Sequence, residues 1–225
     1  MPALAIRDLE VRFPGLKSPV LTIPKLDLAS GERVVLTGPS GSGKTTLLNI
    51  LTGLERAGTG SVVWQKSTDS TDVAQLTEGV RDKWRAANVG LVMQEFHLFP
   101  GLSAFENVLL PQRLAHFRLP TGAKDEAARL LARVGISRTG QSIETMSRGQ
   151  MQRVAVARAL VARPGIIVAD EPTASLEQEA GAAVAELLVE LTIEAHATLI
   201  VASHDARFID RLGRVLRLEA GRLKG

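Results

Sequence analysis

Apolar and polar positions alternate near the start of the chain. Leu9, Val11 and Phe13 stand between charged residues, and "VLTIPKLDLASGE" continues in short pieces broken at Pro24 and Gly31. A period of two marks a strand with one buried face, so this stretch predicts a small antiparallel unit. The rhythm then changes. "RVVLTGPSGSGKTTLLNILTGL" passes from a continuous apolar run through glycines to Leu47, Leu48, Ile50 and Leu51, which recur at helical spacing until Gly53. That order predicts a buried strand, a glycine-rich turn and a helix. "NVGLVMQ" predicts a second strand leading into a loop. From Gly101 to about Ala162 the patterns are helical: Ser103 and Glu106 have capping-box spacing, and "KDEAARLLARVGI" predicts a helix stopped by Gly135. After Pro164, "GIIVAD" and "ATLIVAS" read as buried strands separated by a helix from roughly Gln178 to Glu194. "STDSTD" reads as an exposed loop, and no internal repeat or low-complexity segment is evident.

Strands alternating with helices imply a parallel sheet covered on both faces. The expected fold class is therefore α/β, with an antiparallel N-terminal β subdomain and an inserted α-helical subdomain. The expected boundaries within one domain spanning 1–225 are 1–30 and about 60–67 for the β subdomain, 31–100 and 163–225 for the core, and 101–162 for the helical part.

Composition acts mainly by exclusion. At 225 residues and 45% hydrophobic, the chain can bury the core of one domain with an inserted lobe. Its apolar runs fall far short of the ~20 residues a bilayer span needs, and "MPALAIRDLEVRF" lacks the basic start and apolar middle of a signal peptide. These features point to a soluble intracellular protein. The absence of cysteine excludes disulfides, thiolate catalysis and Cys-based metal sites. Lys and Arg exceed Asp and Glu by only 27 to 24 and are spread along the chain, so no nucleic-acid partner is expected.

The chemistry begins at "GPSGSGKTT", Gly38, Pro39, Ser40, Gly41, Ser42, Gly43, Lys44, Thr45 and Thr46. It matches G-x-x-x-x-G-K-[ST] between a strand and a helix, the context of a P-loop. Chance would produce this pattern in a chain this long on the order of one time in a hundred at ordinary residue frequencies. Glycines let the backbone fold round an anion, and the helix N-terminus adds its positive dipole end. Lys44 can then reach the β- and γ-phosphates while the Thr45 hydroxyl ligates Mg²⁺. Downstream, "GIIVADEP" fits a buried strand that delivers Asp170 and Glu171 to the sheet edge where the P-loop lies. Asp170 is suited to hold Mg²⁺ through its water shell, and Glu171 to orient and deprotonate a water.

The order of elements resembles the ATP-binding subunits of ABC transporters over nearly the whole chain: Walker A at 38–46, Gln94 after a strand, "MSRGQ" at 146–150, Walker B at Asp170 and Glu171, and His204 in "ASHD". The resemblance implies a RecA-like P-loop NTPase core, ATP and Mg²⁺ as ligands, and ATP hydrolysis. It implies further that Gln94 touches Mg²⁺ or the attacking water, that His204 contacts the γ-phosphate and Glu171, and that Phe13 stacks on adenine; Leu9, Val11 and Phe13 equally suit a core-facing strand. Ser147 and Gln150 have capping spacing, so "MSRGQ" can open a helix and offer a hydroxyl and the Gly149 amide to an anion. In the family such a signature acts on the ATP of a second chain. The implied partners are accordingly another copy, paired head to tail, and a separate integral membrane subunit that keeps the protein at the inner face of the membrane.

Three positions depart from the family pattern, two of them in the signature LSGGQ and one in the stretch "ASLE" after Walker B. Met146 stands for Leu and keeps an apolar anchor. Arg148 stands for the first glycine, where a side chain can point away from the phosphate. Glu177 occupies a position commonly held by Asp. "NVGLVMQEFHLFPGLSAFENVLLP" is similar to the lipoprotein-releasing, macrolide-exporting and cell-division-associated subfamily, which implies a groove for the membrane partner between Gln94 and Pro111. Phe96, Leu98 and Phe99 could also simply pack the insertion onto the core. A small-solute importer and a DNA-maintenance ATPase are the alternatives; the second would need a long coiled coil before the signature, and no sustained heptads occur there.

Overall fold

A computed structural model describes residues 3–66 and 69–224. One sheet is antiparallel, formed by β1 (Ala3–Val11), β2 (Leu21–Leu28), β4 (Thr59–Lys66) and β5 (Asp69–Asp72) in the order β2-β1-β4-β5. The other contains β3 (Arg33–Thr37), β6 (Val89–Val92), β7 (Ile166–Asp170), β8 (Thr198–Ala202), β9 (Arg214–Glu219) and β10 (Arg222–Lys224), ordered β10-β9-β3-β8-β7-β6. Its strands are parallel apart from β10, which closes a hairpin on β9. The expected α/β class and mostly parallel sheet are what the chain forms.

Pleating explains how this sheet serves two cores. Val34, Leu36, Ile166, Val168, Ile200 and Ala202 bury on one face, against α1 (Lys44–Leu51) and the antiparallel sheet. Their neighbours Val35, Ile167, Ala169, Leu199 and Val201 bury on the other. That second core is completed by α3 (Ala104–Ala115), α4 (Ala123–Arg133), α5 (Arg148–Leu160) and α6 (Gln178–Glu194). Strands buried on both faces must be apolar throughout, which is why they read as unbroken hydrophobic runs. Both capping boxes form, at Ser103 with Glu106 and at Ser147 with Gln150. Gly135 stops α4 in a left-handed conformation, φ 72°.

Several local expectations need correction. Pro24 does not break its strand; β2 runs through it as an edge strand, where a missing N–H need cost no ladder bond. Asp8, at φ 48°, and a register shift between Arg7 and Glu10 form a bulge in β1. The bulge resets the alternation, so Leu4 and Ile6 bury on the same side as Leu9 and Val11. "STDSTD" is not simply a loop: Asp69–Asp72 pair with β4, while Ser67 and Thr68 lie outside the described residues, as do Met1, Pro2 and Gly225. Helices α2 (Glu78–Asn88) and α7 (Ala206–Arg211) and the hairpin β9–β10 had no sequence expectation.

Candidate functional site

The chain leaves β3 at Thr37 and turns through glycines into α1. Gly41 and Gly43 have φ 75° and 99°, conformations that strain any other residue. Gly38 is required for a different reason: a Cβ there would stand 2.1 Å from the Leu218 carbonyl oxygen of β9. A Cβ at Gly43 would meet Leu21 Cδ2 at 2.7 Å. The turn is thus gripped from behind by β9 and β2, and the Gly221 N–H adds a hydrogen bond to the Ser42 carbonyl at 3.1 Å. Ser42 is buried and its N–H donates to the carbonyl of the exposed Pro39 at 3.2 Å. Ser40, Gly41, Gly43, Lys44, Thr45 and Thr46 face a cleft of about 760 Å³. No side chain caps α1 at Gly43, which leaves its first amides for an anion.

Strand β7 delivers the acids to the same cleft. Thr45 Oγ1 donates to Asp170 Oδ2 at 2.8 Å, joining the end of the P-loop to the end of the strand. Glu171 is held at φ 43°, and its N–H donates to Ala202 O at 2.8 Å. Such a left-handed non-glycine residue costs on the order of 1–3 kcal/mol and persists where its surroundings enforce it. The Glu171 carboxylate accepts from Ser203 Oγ at 3.3 Å and lies 3.7 Å from His204 Nε2. His204 Nε2 is in turn 3.5 Å from Lys44 Nζ, which donates to Gly38 O at 2.7 Å and more weakly to Pro39 O at 3.3 Å. Gln94 lines the same cleft.

The donor set fits magnesium. A hydroxyl, a carboxylate and an amide oxygen, from Thr45, Asp170 and Gln94, are the hard oxygen ligands that ion takes. Among the described residues no cluster of three His, Cys, Asp or Glu could cage a metal. Sparse protein ligation suits an ion that keeps waters and phosphate oxygens.

Phe13 sits beside Val20 at the edge of the antiparallel sheet's core. It is half-buried against the core between the sheets, as is Val20, which also lines the cleft. The signature lies apart. Ser147 Oγ accepts from the Gln150 N–H at 3.3 Å, and Gln150 Oε1 accepts from the Ser147 N–H at 2.9 Å, so both residues are committed to the start of α5. Ser147, Arg148 and Gly149 open onto another cleft, of about 370 Å³, with Ser175 and Glu177 on its far side. The two clefts share no lining residue. Met146 is buried as an anchor, and Arg148 folds back on its own chain, donating from Nε to Ser175 O at 3.1 Å.

Sequence reasoning overlooked the supports of the site. Asp205 accepts from Thr173 Oγ1 at 2.8 Å and from Arg207, linking the segment after Glu171 to the segment after His204. Burial works to raise the Asp205 pKa, but the hydrogen bonds from Arg207 and Thr173 outweigh it and hold the carboxyl below its ordinary value. Ser203 and Gln152 were likewise missed. Gln152 carried a signal, a polar side chain among the small apolar residues of "VAVARAL" just after it; it is wholly buried.

The comparisons with known proteins agree with this geometry. A family model described as ABC transporter matches residues 21–174, more than half of the chain. The chain is 38% identical over 224 residues to the lipoprotein-releasing system ATP-binding protein LolD of Idiomarina loihiensis, covering 97% of this chain and 95% of that protein. It is 39% identical over 223 residues to the LolD of Pseudomonas fluorescens, covering 98% and 96%. Among solved structures, a dimeric bacterial ABC transporter cassette superposes with a TM-score of 0.86 at 31% identity, covering 99% of this chain and 97% of that one. A dimeric post-hydrolysis state of an ATP-binding cassette bound to ADP and Pi also gives a TM-score of 0.86, at 30% identity and the same coverage.

Proposed function

The chain belongs to the ABC transporter family and is one of its ATP-binding ATPase subunits; from that premise we propose that two copies close head to tail around two ATP–Mg²⁺ pairs and drive a separate membrane protein. In this reading Lys44 and the P-loop amides hold the phosphates, and Asp170, Thr45 and Gln94 hold the metal. Glu171 takes a proton from the attacking water, with His204 steering both that carboxylate and the γ-phosphate. Bound magnesium supplies charge neutralisation on the phosphate oxygens. Ser147 and Gly149 of one copy donate to the γ-phosphate held by the other.

The observation that carries the dimer is the separation of the two half-sites: a capped, anion-suited helix start that shares no wall with its own chain's P-loop cleft. The cassette structures similar to this chain are themselves described as dimeric. In this reading residues 101–162 form the subdomain that carries the signature against the partner's ATP, 1–30 and about 60–67, extended by β5, form the β subdomain, and the rest forms the core.

A groove of about 300 Å³ supports the membrane partner. It is lined by Phe99, Leu110, Pro111 and Leu114, with Asp82 and Arg85 from α2 on its rim. Phe99 is 53% exposed and Leu114 77%, whereas Phe96 and Leu98 pack inward. Apolar exposure rimmed by charge is what a helix of another protein would cover. No described helix is long and apolar enough to cross a membrane, so the partner would supply the span and hold this subunit at the inner face. Relatives named for lipoprotein release favour an exporter or a system that moves extracytoplasmic domains.

The decisive test is Glu171→Gln. With saturating ATP and Mg²⁺ it is expected to hydrolyse 10²–10⁴-fold more slowly, the usual loss for a general base, and to accumulate as a dimer by light scattering. A variant that stays monomeric under those conditions overturns the head-to-tail arrangement.

A further inference from the structure

Two side chains of α5, four residues apart and so on one helix face, join the same two segments of the site. Gln152 is wholly buried, and its Nε2 donates to Pro172 O at 2.8 Å and to Met93 O at 3.4 Å. Arg148 repeats the connection one turn earlier. Its Nε donates to Ser175 O at 3.1 Å, and its guanidinium carbon lies 5.3 Å from the centroid of the Phe96 ring. Met93 and Phe96 flank Gln94, while Pro172 and Ser175 follow Glu171. Each side chain is therefore a rung between the segment bearing the metal-facing amide and the segment bearing the acid.

We propose that Arg148 is a positioning residue for hydrolysis, holding the Gln94 segment and the Glu171 segment in register through Phe96 and Ser175. The inference rests on the reading that Gln94 and Glu171 serve ATP hydrolysis. Only arginine suits both contacts at once: its planar fork stacks on a ring face while an edge N–H donates in the plane. Phe96 is buried, so the ring face is partly shielded from water, where such contacts strengthen. The same segment is held farther along by Arg158, which donates to Phe96 O at 2.9 Å and His97 O at 2.5 Å. Glycine at 148 would leave the Gln152 rung and remove the other.

The test is a double-mutant cycle on the full chain, with Arg148→Gly, Phe96→Leu and the double variant assayed at saturating ATP and Mg²⁺, per folded protein as judged by thermal melting. Each single variant is expected to lower kcat about threefold, the scale of one partly shielded cation–π contact, with KM for ATP unchanged. The double variant should lose no more than either single, because both remove the same bridge. Arg148→Lys keeps the charge over the ring without the Nε donor and should recover part of the loss. An unchanged kcat in Arg148→Gly, a rise confined to KM, or losses that multiply to about ninefold in the double variant would overturn the bridge alone. Wild-type-like hydrolysis by Glu171→Gln would overturn the reading beneath it, and this inference with it.

Discussion

The P-loop cleft and the signature cleft are both built around a helix start, yet they are finished to different degrees. At the P-loop, α1 begins without a side-chain cap, and groups from separate strands converge on it: Thr45 meets Asp170, Lys44 meets His204, and His204 meets Glu171. At the signature, α5 begins with a complete capping box, and Arg148 is tied to Ser175 and Phe96. One half-site gathers its chemistry from distant parts of the chain and leaves its amides free; the other is made rigid by neighbours, with Glu177 on its far wall. In the proposed head-to-tail dimer, a surface for a ligand that another chain holds needs mainly shape and donors.

That contrast can be broken by three further substitutions. The largest effect is expected from Gly38→Ala. A methyl 2.1 Å from a backbone oxygen cannot be relieved by a rotamer change, so ATP binding by the monomer, read by a fluorescent nucleotide titration, should be lost. Retained binding would mean that the grip of β9 on the P-loop is looser than the geometry requires. Ser147→Ala should act the other way round. It removes the Oγ cap, worth about 1 kcal/mol, and should cut turnover at least tenfold, the scale of losing one charge-directed donor, while leaving monomer ATP affinity unchanged. Equal losses in both quantities would contradict a signature that works on the partner's nucleotide.

The smallest effect concerns how the helical part is fastened to the sheet. Glu126 of α4 accepts from Arg129 and from Arg163, the latter just before β7. Arg129 beside it, opposed by burial and joined by Arg163, holds the Glu126 carboxyl down at about 2, against an ordinary 4.5. A depressed carboxylate stabilises the folded state above its unfolded value and loses that contribution as pH falls through its folded value. The difference in urea midpoint between wild type and Glu126→Gln should therefore be full at pH 7 and shrink between about pH 4.5 and pH 2. A difference that stays constant across that range would remove this ion pair from the account.

The parts legible in the sequence were those whose signals are local. A motif such as 38–46 and a cap such as Ser147 with Gln150 are written within a few residues, and the strands of the parallel sheet announce themselves by unbroken apolar runs. What stayed hidden depended on distant partners. Helix α2 buries mainly Arg81, so it lacks an apolar stripe to count. Asp69–Asp72 become a strand because β4 offers an edge, not because their residues favour one. Pro24 is tolerated because β2 happens to be outermost. The stacking of Arg148 on Phe96 joins positions on different elements, and from sequence the arginine could be read only as a departure from a glycine. Phe13 illustrates the converse: alternation suited a core strand as well as a base-stacking ring, and its side chain is half-buried against the core.

The rear wall of the P-loop carries a consequence for how this protein comes into being. The motif at 38–46 leaves the ribosome long before the surfaces that mould it, Leu218 and Gly221, are translated. Until the β9–β10 hairpin arrives, the nascent chain has the letters of a phosphate cradle without its shape. Such long-range closure is slow by nature. Competence to hold nucleotide thus waits on that hairpin, and a chain terminated before it would carry the motif without the capacity to take up ATP.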